Sequence, residues 1–296
     1  MTAGGVSVAD QQLLGLALGV GAGALWAVEA VLGKILLAST TFLQVAAVEA
    51  FFAAVTAAAY LLTRRVSLTF PRRAASKLVL VGLVGTVLAP VLYFFGLSQT
   101  FAINATLIAH LQPLFVALFG YYWLNERLQR RDLVAGLLIV GAAVLITSRT
   151  VENLMGFAFG NVGDLTVLGA TVCWAVVAIP GKQLTEDVST PLIVGYRFAI
   201  ASLVFLPLLL SVNQLAVTSP YQILLGVLIG LGYVCYYEGL RRSKASHIAL
   251  TELSAPFFTA ILAWAFLGET LLPLQALGAA LLFCGLIVLS HQRSRT

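Results

Sequence analysis

Apolar runs of about twenty residues alternate along the chain with short clusters of charge and turn residues. A run of that length crosses a hydrocarbon core as one helix, and a helix satisfies its own backbone there. The two-residue alternation of a barrel strand is absent. Ten helices are predicted, at about 13–38, 42–63, 77–97, 103–124, 132–148, 163–184, 190–211, 220–240, 247–267 and 273–290. The fifth is short, the ninth carries Pro256, and 149–162 reads as a loop containing Gly and Asn.

Composition supports a membrane solvent. Hydrophobic residues make up 60% of 296 positions and charged residues 10%, too little charge to cover a soluble domain of this length. The net charge of +5 does not mark a nucleic-acid binder, because the basic residues sit in clusters between apolar runs and act as topology signals. Fourteen of the 17 fall on one side: Arg64, Arg65, Arg72, Arg73, Lys77, Arg127, Arg130, Arg131, Lys182, Arg241, Arg242, Lys244, Arg293 and Arg295. Lys34 and Arg149 fall on the other, and Arg197 lies within a helix. The positive-inside rule makes the crowded side cytoplasmic, with both termini, in a bacterial inner membrane. The N-terminus lacks the positive region of a signal peptide, and the first run is too long for its apolar core. Cys173, Cys235 and Cys284 lie in apolar segments without a metal or disulfide pattern.

The chain repeats itself. Gly21–Leu36 lies over Gly169–Leu184 at a shift of 148, with nine of sixteen columns identical, among them Trp26/Trp174, Gly33/Gly181 and Lys34/Lys182. A shift of 143 pairs Tyr93 with Tyr236, Gly96 with Gly239, Pro113 with Pro256 and Glu126 with Glu269. Halves of five helices, 1–150 and 151–296, must enter the membrane from opposite sides. The charges agree, since Arg127, Arg130 and Arg131 follow Glu126, while no base closely follows Glu269. The predicted fold is therefore an all-α membrane protein, ten transmembrane helices forming two inverted five-helix repeats around a central cavity. That architecture is a signature of secondary transporters.

The half-repeat itself carries a resemblance. A Trp in the first helix, Pro113–Phe115 leading to Asn125–Leu128, and a Gly-rich helix after it are echoed by Ala255–Phe258 and Gly268–Leu271, and Asp164 opens the sixth helix. This pattern resembles the EamA-type members of the drug/metabolite transporter superfamily, over nearly the whole chain. The resemblance implies ten helices, a central cavity between the halves and a small-molecule substrate. Relatives in that family are associated with amino acids, nucleobases, drugs and other metabolites, many of them exported. Glu29 in the first helix is also similar to the membrane carboxylate of the small multidrug resistance family, although Val177 stands at the matching place in the second half.

Ionisable groups within a bilayer are costly and mark function by default. The candidates are Glu29, Glu49, Glu252, Arg197 and His110, with Trp26, Trp174, Tyr93 and Tyr236 as aromatic wall. Each has a structural alternative. Glu29 can pair with Lys34, Glu49 and Arg197 can either bracket the cavity or hold neighbouring helices, and the tryptophans can be packing. Glu252 and His110 precede Pro256 and Pro113, where a proline frees a backbone carbonyl and loosens the helix. Glu238 reads as an interfacial ion pair, His247 as structural, Glu126 and Glu269 as loop or cap residues, and Asp164 as an N-cap. Glycines at 82, 85, 232 and 239 allow close helix approach.

The reading is a secondary transporter, an exporter of small polar metabolites such as amino acids or amine-bearing compounds, working by alternating access as a monomer or homodimer. The excess of intramembrane carboxylate favours a positive group on the substrate, or protons as coupling ion. Proton-coupled export of quaternary ammonium or lipophilic cations is the alternative within transport, and a non-transporting scaffold the alternative outside it. The sequence has no GxxxxGK[ST] loop and no protease motif, so neither a nucleotide cofactor nor enzyme chemistry is expected.

Overall fold

A computed structural model of the protein describes residues 8–64, 69–124, 130–243 and 245–293. Arg65, the Asn125–Leu128 motif with Glu126 and Arg127, Lys244 and Arg295 lie outside the described residues. Among the described residues the chain is helical, without a strand. The helices are α1 (Val8–Leu36), α2 (Phe42–Arg64), α3 (Arg72–Gly82), a π-helical segment Leu83–Leu88, α4 (Ala89–Gln99), α5 (Ala102–Ala109), α6 (Gln112–Leu124), α7 (Arg130–Ser148), α8 (Val151–Met155), α9 (Val162–Asp187), α10 (Thr190–Ser211), α11 (Pro220–Arg242), α12 (Ala245–Glu252), α13 (Ser254–Leu267) and α14 (Pro273–Arg293).

Eight stretches among the described residues are long and apolar enough to cross a membrane, and Leu133–Ser148 and Pro273–Leu289 are shorter apolar helices. Outward-facing side chains such as Leu62, Leu137, Leu203, Trp264 and Phe266 are exposed, as a lipid-facing surface requires. The protein is a multi-pass membrane protein.

Three predicted helices are not continuous α-helix. The third passes through the π segment, and the fourth and ninth break at His110–Leu111 and Leu253. Pro113 and Pro256 lie three residues beyond His110 and Leu253. Each proline lacks the amide that continues the i→i−4 ladder. The predicted loop 149–162 contains the short helix α8, capped by the Thr150 side chain on the Asn153 N–H.

Local signals set the ends. Asn161 and Asp164 form a reciprocal capping box on α9, and Ser219 and Gln222 do so on α11, with Pro220 opening the helix. Gly268 ends α13 at φ 67°, a left-handed conformation that costs glycine nothing.

The crossings form a closed ring. α1 packs on α11, α11 on α2, α2 on α10, α10 on α3, the α3–α4 stretch on α9, α9 on α5 and α6, α5 on α13, and α13 back on α1. α7 and α14 pair with each other beside this ring, touching α5 and α12. The closest crossing is at Gly96 and Gly163, where a Cβ on either would lie 2.6–2.7 Å from the other's carbonyl oxygen. Small residues bring helix backbones together in lipid, where packing rather than water expulsion drives association.

That crossing gives a stability prediction. Gly163→Val should cost about 1–3 kcal/mol through overpacking and lower the melting temperature in detergent. Gly21→Ala, where a Cβ meets nothing within 4 Å, should leave melting unchanged or raise it slightly.

Candidate functional site

The ring encloses a cavity of about 340 Å³. It runs from the middle of α1, at Trp26 and Glu29, to Lys182 and Gln183 near the end of α9, Leu240 near the end of α11 and Leu289 near the end of α14. Aromatic rings form much of its wall. Trp26 lies 4.8 Å from Tyr233, centroid to centroid, and Tyr93 lies 5.4 Å from Trp174. Tyr236 and Tyr237 continue the wall along α11.

The polar groups in this wall are held by specific bonds. Trp26 Nε1 donates to Glu252 Oε1 at 3.0 Å. Its repeat counterpart Trp174 donates instead to the main-chain oxygen of Gly85 at 3.2 Å. That oxygen is available because of the π segment. The Ala89 N–H bonds Val84 O, so in this register Gly85 would look to residue 90, which is Pro90 and has no N–H. Arg197 Nη2 reaches the same carbonyl at 3.3 Å.

Arg197 is 3% exposed and is held by neutral groups. Nε donates to Thr86 Oγ1 at 2.8 Å, Nη1 to the Tyr237 hydroxyl at 3.2 Å, and the guanidinium lies 3.8 Å from the Tyr233 ring centroid. Among the described residues no carboxylate forms an ion pair with it. A buried cation without a paired anion leaves a positive field, and that field acts on Glu29, which lines the same cavity.

His110 also lines the cavity, with both ring nitrogens on main-chain oxygens: Nδ1 at 2.7 Å from Thr106 O and Nε2 at 2.9 Å from Glu252 O.

Away from the cavity, the opposite helix ends are closed by a polar cluster. Lys34 Nζ donates to the carbonyls of Leu97 at 2.8 Å, Ser98 at 3.4 Å and Thr100 at 2.7 Å. The Thr100 hydroxyl donates to Asp164 at 2.5 Å and accepts from Arg149 Nη2 at 3.3 Å. Glu269, buried, accepts from the amides of Ala102 and Ile103 at 2.9 and 3.1 Å, an anion at the positive end of α5. Asn104 joins Asp164 to Gln275. Arg149 lies over the Phe101 ring, 4.2 Å from its centroid. Partial burial draws the Arg149 pKa below its ordinary value, against the pull of Asp164 and Glu269.

The structure brings eight of the nine residues singled out from sequence to one wall: Trp26, Glu29, Tyr93, His110, Trp174, Arg197, Tyr236 and Glu252. Glu49 is not among them. It is buried in α2, where its Oε2 lacks a hydrogen-bond partner among the described residues. Lys34 bonds the end of α4 and does not pair with Glu29. Glu238 pairs with Arg242, His247 contacts Gln12 and Ser243 at the helix ends, and Asp164 and Glu269 are helix caps that also build the closed end. Tyr233 and Tyr237, whose rings and hydroxyls the sequence also offered as lining, lie in the same wall, whereas sequence reasoning missed the Gly85 carbonyl, Thr86 and Lys182. Pro90 was the available signal for the first, and the Lys34/Lys182 repeat for the third.

The bonds of Arg197 make a prediction. Arg197→Ala leaves Gly85 O with one donor and Thr86 and Tyr237 without their cationic partner. Each lost bond to a charged donor costs about 1.5–3 kcal/mol, so the variant should melt well below wild type. Glu29→Gln, which preserves shape, should melt close to it.

Comparison with known proteins agrees with this architecture. The chain matches the EamA-like transporter family over residues 13–148 and again over residues 161–291. It is 31% identical over 219 residues to an uncharacterized transporter of Methanothermobacter thermautotrophicus, covering 72% of this chain and 63% of that protein, less than two thirds of its length. It is 28% identical over 239 residues to the pseudopaline exporter of Pseudomonas aeruginosa, covering 79% of this chain and 81% of that one. A probable amino-acid metabolite efflux pump of Salmonella typhimurium is 28% identical over 200 residues, 62% of this chain and 66% of the pump. One solved crystal structure matches 98% of this chain and 100% of its own at a TM-score of 0.68 and 21% identity, a likeness of fold. Matched twice along its length, the chain belongs to the EamA-like transporter family, and is a transporter rather than an enzyme.

Proposed function

We propose that this transporter exports amino acids or related amine-bearing metabolites across the bacterial inner membrane by alternating access. The observation that carries the reading is a single cavity wall holding carboxylates, Glu29 and Glu252, together with cations, Arg197 and Lys182. A substrate bearing both an ammonium and a carboxylate finds a partner for each charge. The aromatic rings of Trp26, Tyr93, Trp174 and Tyr236 pack its apolar part and can face its cation. Protons exchanging at Glu29 or Glu252 supply the coupling. The names of two relatives, a pseudopaline exporter and a probable amino-acid metabolite efflux pump, support the direction, and the second supports the class.

The architecture we propose is ten crossings in two inverted repeats, 1–150 and 151–296. α1, α2, α3–α4, α5–α6 and α7 form the first, and α9, α10, α11, α12–α13 and α14 the second. Three features support it. The order of crossings around the ring is unchanged when each is exchanged for its repeat counterpart. Lys34 bonds Leu97 O and Lys182 bonds Leu240 O at 2.6 Å, which are equivalent bonds at the two sequence shifts. The family match also recurs once per half. The cavity extends toward the end carrying Lys182, Arg241 and Arg242, the side that the positive-inside rule makes cytoplasmic. This form is then the inward-facing one, and exchange of conformations between the halves turns it outward.

Export of lipophilic cations has the aromatic wall in its favour. Against it, the Arg197 guanidinium already covers the Tyr233 face and repels a second cation.

The test is thermal stabilisation of the purified protein by a panel of amino acids, amines, quaternary ammonium ions and nucleobases, since a ligand that binds the folded state raises its melting temperature by mass action. Amino acids or amines should shift wild type, by about 2.7 kcal/mol at a hundredfold excess over Kd, and Glu29→Gln or Glu252→Gln should lose the shift. A shift with quaternary ammonium ions alone overturns the substrate class.

A further inference from the structure

The breaks in the fourth and ninth crossings meet at one side chain. His110 closes α5, and Glu252 closes α12. His110 Nδ1 is 2.7 Å from Thr106 O and Nε2 is 2.9 Å from Glu252 O. Both partners are carbonyl oxygens, which only accept. A neutral imidazole has one N–H, so it satisfies one contact and turns a lone pair toward the other oxygen. Only the doubly protonated ring donates to both.

The Glu252 carbonyl needs this donor. Its helical partner position, four residues on, is Pro256, which has no N–H. The Thr106 carbonyl also receives the His110 backbone amide at 3.2 Å, so the bond to Glu252 is the one that joins two otherwise separate helix breaks.

We propose that His110 is a proton-binding site whose imidazolium form clasps the break of the fourth crossing to that of the ninth, and that loss of the proton releases the clasp. The surroundings suit an exchangeable charge. His110 lies in the cavity wall, which gives its proton a route to water. The titratable groups that share the cavity lining with it are Glu29 from α1, Tyr93 from α4, Lys182 from α9 and Glu252 from α12, with Arg197 from α10 and Tyr233, Tyr236 and Tyr237 from α11. α13 carries no titratable residue, and those of α7 are confined to its first turn, Arg130–Asp132.

The clasp concerns the protein's own proton and conformation, so it stands or falls independently of the substrate. When His110 is protonated the fourth and ninth crossings are held together at their weak points, beside the Trp26–Glu252 bond. When it is neutral with its remaining proton on Nδ1, the contact of Nε2 with Glu252 O turns repulsive and the broken halves are free to hinge. The sign follows: the clasp contributes stability in the protonated state and loses it as pH rises through the His110 titration.

The test is 15N NMR of the ring nitrogens in full-length protein, labelled at histidine and held in lipid nanodiscs, from about pH 5 to about pH 8. The chain has three histidines, and signals from the other two are removed with His247→Gln and His291→Gln, so His110 is assigned without altering it. Both His110 nitrogens should carry protons at the acid end, and one should lose its proton as pH rises. The melting temperature should fall over the same interval, a fall that His110→Gln abolishes. A His110 ring carrying a single proton at every pH overturns the proposal, as does a titration that leaves melting unchanged.

Discussion

Hydrocarbon offers no donor to a carbonyl that has lost its helical partner. Two prolines in this chain create that problem at the centre of the fold. Pro90 withholds an amide from Gly85 O and Pro256 withholds one from Glu252 O. The side chains that answer, Trp174 and Arg197 at the first and His110 at the second, are also walls of the cavity. The site is thus held in place by the bonds that keep the broken helices tolerable in lipid. Interruptions placed where they line a cavity are how transporters expose backbone at membrane depth.

The charges divide according to the same constraint. At one end Lys34, Arg149, Asp164 and Glu269 are consumed by helix ends and by one another, which ties the helices together on that side. Around the cavity Arg197 is held by a carbonyl, two hydroxyls and a ring, so its position is fixed while its charge is not paired off by direct contact. Glu29 faces the same space. A fixed positive field and a carboxylate across one cavity are suited to a ligand with two charges of opposite sign. Lys34 and Lys182 use one device at opposite ends, an ammonium on the last carbonyls of a neighbouring helix. At Lys34 the bond belongs to the closed cluster, and at Lys182 it borders the cavity.

Much of this was legible in the sequence. The apolar runs, the Trp26/Trp174 and Lys34/Lys182 repeat and the rarity of intramembrane charge pointed to the crossings and to eight of the wall residues. Hydropathy could not resolve what depends on backbone hydrogen bonding. The π segment and the breaks at His110 and Leu253 leave the apolar pattern unaltered, and only proline positions hint at them. Pairing partners were also out of reach. Lys34 is near Glu29 in sequence but bonds α4, because the end of α4 offers three carbonyls. Glu49 shares the apolar setting of Glu29, and only the three-dimensional packing leaves it behind the cavity lining rather than in it.

The most direct measurement is counterflow in proteoliposomes containing the purified protein. Vesicles are preloaded with an unlabelled amino acid and exposed to trace label outside. Wild type should accumulate label transiently and saturably, Glu29→Gln should not, and empty vesicles should give the background. Equal accumulation by Glu29→Gln, or none by folded wild type for any amino acid or amine, would contradict a substrate path through this cavity.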